Sequence, residues 1–238
     1  MKPHVLLFLL TGILVACQPK DASQDLESTT EVNTSAEKPE VFNDSIIGPA
    51  GLTLLYEANG DLTKDEVPER VRVYDNGIEG EFGTAREIHI YRKGKTAWTL
   101  LEKIKGGVLP SEHGGMMGDP FIGVEIERGC IVLYHNGGSR WKWSYTHRFR
   151  LQNDRWELIG ATIYDGAPCD QSETLDFNLS TGDIEIKKEK EACKEDEVTV
   201  ENSVTIESFL QLDPLPELAG FYPGNNQLKL IPNDVFYY

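Results

Sequence analysis

Three groups of residues in this chain carry side chains that could do chemistry. Residues 110–120 set Ser111, Glu112, His113 and Asp119 among glycines and prolines. A base at His113 with Ser111 or Glu112 as its partner would be the beginning of a hydrolytic site. The sequence offers no nucleophile elbow, no HExxH and no paired metal-ligand spacing to complete it. Neighbours in a glycine-rich loop are also poorly held for catalysis, so a mobile loop, or a binding one, is the plainer expectation. In the second group, Asp61, Thr63 and Asp65 place oxygens at alternate positions, with Glu69 four residues further on. Three carboxylates brought together without a cation repel one another, so a hard cation such as Ca2+ would stabilise their approach. The third group is aromatic: Trp141, Trp143, Tyr145, Trp156 and Tyr164. Exposed, such rings form a stacking platform for sugars. Buried, they are the largest hydrophobes of a core, and Phe149, Leu151 and Leu158 share their expected face. His147 on that face reads as a hydrogen-bonded core histidine.

The elements that must position these residues are strands. From 141 to 151, odd positions read Trp, Trp, Tyr, His, Phe, Leu and even positions Lys, Ser, Thr, Arg, Arg. Alternation this long is a strand signal. Asn153-Asp154 can adopt the positive φ of a two-residue hairpin turn. That turn would set Leu151 opposite Trp156, Phe149 opposite Leu158 and Arg150 opposite Glu157. Three more hairpins are predicted: 86–92 into 96–104 across Lys93-Gly94, 121–127 into 130–135 across Arg128-Gly129, and 175–179 into 183–187 across Ser180-Thr181-Gly182. No amphipathic helix of ordinary length is visible, since 208–218 is interrupted by Pro214 and Pro216, and 228–238 is apolar enough for a last strand. The expected fold is all-β, an antiparallel meander of hairpins forming a sandwich or open barrel over 46–238.

Composition excludes some partners. Thirty-nine acids against 23 bases give a formal charge of −16, and without a basic footprint neither nucleic acid nor an anionic membrane surface is expected as a partner. Residues 18–45 have almost no large apolar side chains and many acids, Ser and Thr, which predicts a disordered acidic linker. Ahead of it, Lys2 precedes an uncharged run from Val5 to Ala16, too short to cross the ~30 Å of a bilayer's hydrocarbon. A basic start, a short apolar core and small residues before a cut describe a secretory signal peptide over 1–16.

The end of that run, Leu14-Val15-Ala16-Cys17, resembles the lipobox of bacterial lipoproteins. The resemblance implies lipidation at Cys17: diacylglycerol on sulfur, then an acyl chain such as palmitate on the new N-terminus. Several chains together anchor firmly where one would not, at about 0.8 kcal/mol per buried CH2. Gln18, where Asp would be a retention signal, implies the outer membrane. An exported protein can form disulfides, and Cys169 and Cys193 flank a strand-turn-strand stretch that a bridge could close. Cys130 lies in an apolar strand and reads as a buried free thiol.

Residues 59–73, Asn-Gly-Asp-Leu-Thr-Lys-Asp-Glu-Val-Pro-Glu-Arg-Val-Arg-Val, resemble the Gly-Asp-Leu loop and Val-rich strand of FG-GAP and VCBS-type repeats, and also Asp-rich calcium loops. The resemblance covers about fifteen residues and occurs once. It implies a Ca2+ site in which Asp61, Thr63 and Asp65 give side chains, Val67 a carbonyl and Glu69 a closing carboxylate. Glu66 stands where the pattern has Gly, and Thr63 replaces a stronger ligand, which leaves a second reading: a turn that lost its metal. The chain is also similar to bacterial lipoproteins of no assigned activity, through Gly118–Phe121, Gly137–Ser139 and Trp156–Gly160. The functional expectation is an envelope lipoprotein whose β domain is a non-catalytic binding or structural module for an envelope protein or glycan, with or without weak Ca2+. The alternatives are a periplasmic hydrolase using the His113 loop and an inhibitor or immunity-type lipoprotein.

Overall fold

Alternation becomes strand throughout the described residues, which in this computed structural model are 42–194, 197–231 and 234–238. The first sheet runs in the order β1 (Thr53–Gly60), β2 (Glu69–Gly80), β3 (Gly83–Lys93) and β4 (Trp98–Lys105). A second sheet holds β5 (Phe121–Glu127), β6 (Cys130–Gly138), β7 (Lys142–Gln152), β8 (Arg155–Gly166), β9 (Gln171–Asn178), β10 (Asp183–Lys194) and β11 (Glu197–Phe209) in sequential order. A closing hairpin pairs β12 (Gln227–Ile231) with β13 (Asp234–Tyr237). The fold is all-β, and its antiparallel hairpins follow one another as meanders.

The expected signal peptide, Cys17 and the expected linker as far as residue 41 lie outside the described residues. The folded chain starts earlier than residue 46. Asn43 bridges Ala97, Trp98 donates its indole N–H to Asp44 at 3.0 Å, and Arg72 donates to the carbonyl of Ile46 at 3.0 Å. The last residues of the expected linker are therefore held by side chains of the first sheet.

Turn chemistry explains the hairpins. Asn153 and Asp154 have φ of 50° and 60°, and Arg128 and Gly129 of 52° and 81°, the paired left-handed residues whose twist matches the flanking strands. Leu151 lies opposite Trp156, Phe149 opposite Leu158 and Arg150 opposite Glu157. Gln152 stands between the two charges, accepting from Arg150 Nε at 2.9 Å and donating to Glu157 at 2.7 Å. Beyond Leu158 the alternation breaks: Phe149 pairs Leu158 but Arg148 pairs Gly160, so Ile159 is a bulge. One extra residue moves everything after it to the other face. Tyr164 therefore pairs Ser144, away from Trp143 and Tyr145, and the expected single aromatic face does not form.

Val71, Val73, Ile88 and Ile90 of the first sheet share one apolar cluster with Ile131, Leu133, Phe149 and Leu158 of the second. Burying each such side chain is worth about 1.5–3 kcal/mol. The sheets meet where β1 runs beside β5, with Tyr56 edge-on to Phe121 at 5.1 Å. Residues 216–221 tie the opposite side. Leu218 N–H donates to Trp156 at 2.8 Å, Gly220 N–H to Lys105 at 2.8 Å, and Gly107 N–H to Phe221 at 2.7 Å. A Cβ on Gly106, at φ +127°, would stand 2.5 Å from the Leu218 carbonyl oxygen, so this seam requires glycine.

Candidate functional site

Two of the groups singled out by residue type meet in one cleft. β7 presents Trp143 and Tyr145, stacked with centroids 4.9 Å apart at 29°. Trp143 can take this pose because Gly137 lies opposite it, where a Cβ would fall 2.2 Å from the indole. The 110–120 segment brings His113 against Phe82 at 4.4 Å and Tyr222 at 5.6 Å between ring centroids. The turn at 222–225, closed by Asn225 N–H donating to Tyr222 at 3.1 Å, forms the remaining wall. Phe82, His113, Trp143, Tyr145, Tyr222 and Asn225 line an open hollow of about 470 Å3 with no Asp, Glu, Lys or Arg in its lining.

The side-chain polar atoms of this cleft have no hydrogen-bond partner among the described residues. Of the chain's four tryptophans, Trp98 donates its indole N–H to Asp44, Trp141 to Asp165 and Trp156 to Glu102. Trp143 has no such acceptor among the described residues, and neither the Tyr145 nor the Tyr222 hydroxyl has a hydrogen-bond partner there. Burial raises the pKa of Tyr145, aided by the charge of Asp165, and that of Tyr222, aided by Glu81, so both phenols stay protonated. Burial lowers that of His113, and its Nδ1 has no partner. The cleft therefore offers neutral donors and acceptors beside aromatic faces.

Beneath it lie two more neutral histidines. His147, expected as a hydrogen-bonded core residue, has neither ring nitrogen bonded. It packs on Phe221 at 4.9 Å between centroids, with Tyr145 and Phe149 as its other aromatic neighbours. Burial pushes it down to about 3. His135 is likewise pushed down to about 3 by burial; its Nε2 accepts from Leu109 N–H at 3.3 Å.

Hydrogen bonds tie the His113 loop to the start of β3 and the turn before it. Ser111 N–H donates to Thr84 at 3.1 Å and Glu112 N–H to Phe82 at 2.9 Å, while Ser111 Oγ accepts from Thr84 N–H at 2.8 Å. Asp119 takes both Nη groups of Arg86, at 2.9 and 2.7 Å. Neither partner expected for a His113 base is bonded to it: among the described residues no hydrogen bond joins Ser111 or Glu112 to the His113 ring, Ser111 Oγ being committed to Thr84 and the nearby Asp119 to Arg86.

In the β1–β2 loop, three of the expected calcium ligands do converge, but on a guanidinium. Arg92 pairs with Asp65 and Glu69, the latter at 3.0 Å, and reaches Thr63 Oγ1 at 3.3 Å. The other Glu69 oxygen accepts from Leu62 N–H at 2.8 Å. Asp61 accepts from the N–H groups of Asp65 and Glu66, and the N–H of Val67 donates to Asp65 at 3.0 Å. Glu66, at the pattern's glycine position, sits at φ +66°. Among the described residues no three His, Cys, Asp or Glu side chains are placed to hold a metal ion. Asp61, Thr63, Asp65, Val67 and Glu69 as arranged do not fit Ca2+, because Arg92 stands where the ion would, paired with Asp65 and Glu69, while Asp61 is turned to backbone N–H groups.

Cys169 and Cys193 are joined, with Cα atoms 5.1 Å apart, and Cys130 is a buried free thiol. Of the expected aromatic row, Trp156 is core, Trp141 lies at the strand end and Tyr164 on the outer face; Trp143 and Tyr145 remain at the cleft. Sequence reading missed Phe82, Tyr222 and Asn225, which lie far away along the chain. It also missed Arg92, whose signal was the strand register that sets it opposite Glu69. Compared with protein-family models, curated proteins and solved structures, the chain matches none.

Proposed function

We propose that this protein is a non-catalytic binding module of the bacterial envelope, held to the outer membrane by lipid on Cys17, that takes a neutral saccharide in the aromatic cleft. The observation that carries the reading is the uncommitted indole N–H of Trp143, stacked on Tyr145 within an uncharged hollow. A sugar ring has an apolar C–H face and a hydroxyl rim. Trp143 and Phe82 suit the face, while the Tyr145 and Tyr222 hydroxyls, the His113 ring and the Asn225 amide suit the rim. A charged ligand would find no counter-ion in this lining, and a shallow open site of this kind supports affinities on the order of 0.1–1 mM, near −5 kcal/mol. The commitment of Ser111 Oγ to the Thr84 N–H, with no hydrogen bond to His113 among the described residues, supports binding over hydrolysis.

Titrating neutral envelope oligosaccharides into the full chain in detergent is expected to give saturable heat, lost in Trp143→Ala with the melting midpoint unchanged. Heat that persists in that variant, or the appearance of shortened sugars, would contradict the reading. The anchor has its own test. Mass spectrometry should find diacylglycerol on Cys17, and a Cys17→Ala chain should leave the membrane fraction; a lipid mass shift surviving the substitution counts against it.

A further inference from the structure

The outer face of the second sheet carries a second site of opposite character. Lys64, Arg128, Arg148 and Arg150 border a groove of about 550 Å3 with the Cys130 thiol in its lining. Four cations in one hollow stand out in a chain of formal charge −16. Most arginines here spend their charge on carboxylates, as Arg72 does on Glu57, Arg86 on Asp119 and Arg92 on Asp65 and Glu69. Arg148 and Arg150 do not. Among the described residues neither has an ion pair: Arg148 donates to the Thr162 hydroxyl at 3.2 Å, and Arg150 to the amide oxygen of Gln152. The groove also holds two carboxylates, and neither pairs with these two arginines: Glu127 pairs with Arg128 at the rim at 3.2 Å, and Asp176 accepts from the Thr162 hydroxyl at 3.3 Å, so the four cations outnumber the acids of the lining.

The fold keeps this hollow open. Gly160, the residue after the bulge, puts no side chain beside Arg148, whose Cδ would lie 3.6 Å from a Cβ there. The Lys64 stem lies over Gly129, where a Cβ would fall 2.7 Å from Cε, which brings a lysine of the first sheet's loop to the rim. Both arginines are half-buried, so their side chains are partly ordered before any ligand arrives, which lowers the entropic cost of binding.

We propose that Lys64, Arg128, Arg148 and Arg150 form an anion site for a phosphate group. Two half-buried guanidiniums with unused N–H donors and no ion pair of their own match a tetrahedral dianion, which accepts bidentate hydrogen bonds from arginine. The same chemistry serves a soluble phosphate compound or a phosphate on a lipid headgroup. The site is separate from the aromatic cleft and stands or falls independently of it.

The test uses the full chain at constant ionic strength, because screening would imitate a loss of affinity. One arm titrates inorganic pyrophosphate by calorimetry. The other compares binding to phosphatidylcholine vesicles with and without phosphatidylglycerol, scoring the preference rather than the total. Arg148→Gln and Arg150→Gln are each expected to weaken binding roughly tenfold, the loss of one charge-assisted contact. Lys64→Gln, an exposed change that leaves the core intact, should weaken it by a smaller factor. A response in the pyrophosphate arm that the variants lose supports a soluble ligand; a phosphatidylglycerol preference that they lose supports a headgroup. Melting midpoints without anion establish that each variant is folded. No response in either arm, or the same response in folded Arg150→Gln and Lys64→Gln chains, overturns the proposal.

Discussion

Arg92 does in the β1–β2 loop what a cation would do, and at the residue scale this decides the loop's behaviour. Glu69 is 1 % exposed, and a buried carboxylate needs a partner of opposite charge or a lowered charge of its own. Arg92 supplies the first, joining Glu69 to Asp65 and Thr63. Arg92→Met is therefore expected to lower the denaturant midpoint, since the buried Glu69 carboxylate loses its partner of opposite charge. Millimolar Ca2+ should leave the melting midpoint of the unaltered chain where it is in chelator. A rise with Ca2+ that Asp61→Ala/Asp65→Ala abolishes would show that metal displaces the guanidinium. The alternate acids were legible in the sequence. Their neutraliser was not, because Arg92 reaches them only through strand pairing, 27 residues from Asp65.

Whole strands and their turns were the most legible part of the chain. Asn153-Asp154 and Arg128-Gly129 fixed two hairpins because few residue types tolerate consecutive positive φ. The bulge at Ile159 was not legible, since no residue type announces an inserted position, and the aromatic row counted across it was wrong from Tyr164 onward. The division into two sheets was equally silent, because it depends on which strands pair and not on what they contain. The disulfide acts at this scale too. It ties the end of β10 to the β8–β9 connection across a separation of 24 residues. In the chain-entropy model a loop of that size stabilises by about 3 kcal/mol. Cys169→Ser/Cys193→Ser should lose stability of that order in urea while the cleft keeps its ligand, because the bridge lies apart from the cleft lining.

For the molecule as a whole, acid should be the sensitive direction. His135 and His147 are pushed down from 6.5 to about 3 by burial. Unfolded, they would take up protons below pH 6.5, whereas folded they stay neutral until about 3. Their burial therefore costs nothing above pH 6.5 and costs progressively more as pH falls toward 3, by about 1.4 kcal/mol per pH unit for each. Melts from pH 8 to 4 should show a midpoint flat above about 6.5 and falling below it. The decline should be shallower in His147→Phe, which has one fewer histidine to protonate and suits an aromatic surrounding. An unchanged slope in that variant would mean that other groups govern the acid limb.

The cleft itself was half legible: Trp143, Tyr145 and His113 stood out by type, while Phe82, Tyr222 and Asn225 joined them only through the fold. Its central claim, that a neutral sugar sits on Trp143, can be read from a single resonance. The chain has four indole N–H groups, and those of Trp98, Trp141 and Trp156 are already bonded to Asp44, Asp165 and Glu102. In a nitrogen–proton correlation spectrum titrated with neutral oligosaccharide, the Trp143 indole peak, assigned by its loss in Trp143→Phe, should shift progressively to saturation. The Trp98 and Trp156 peaks should stay still. If the Trp143 peak does not move while the sugar binds, or if no indole moves at saturating sugar, the cleft is not a saccharide site.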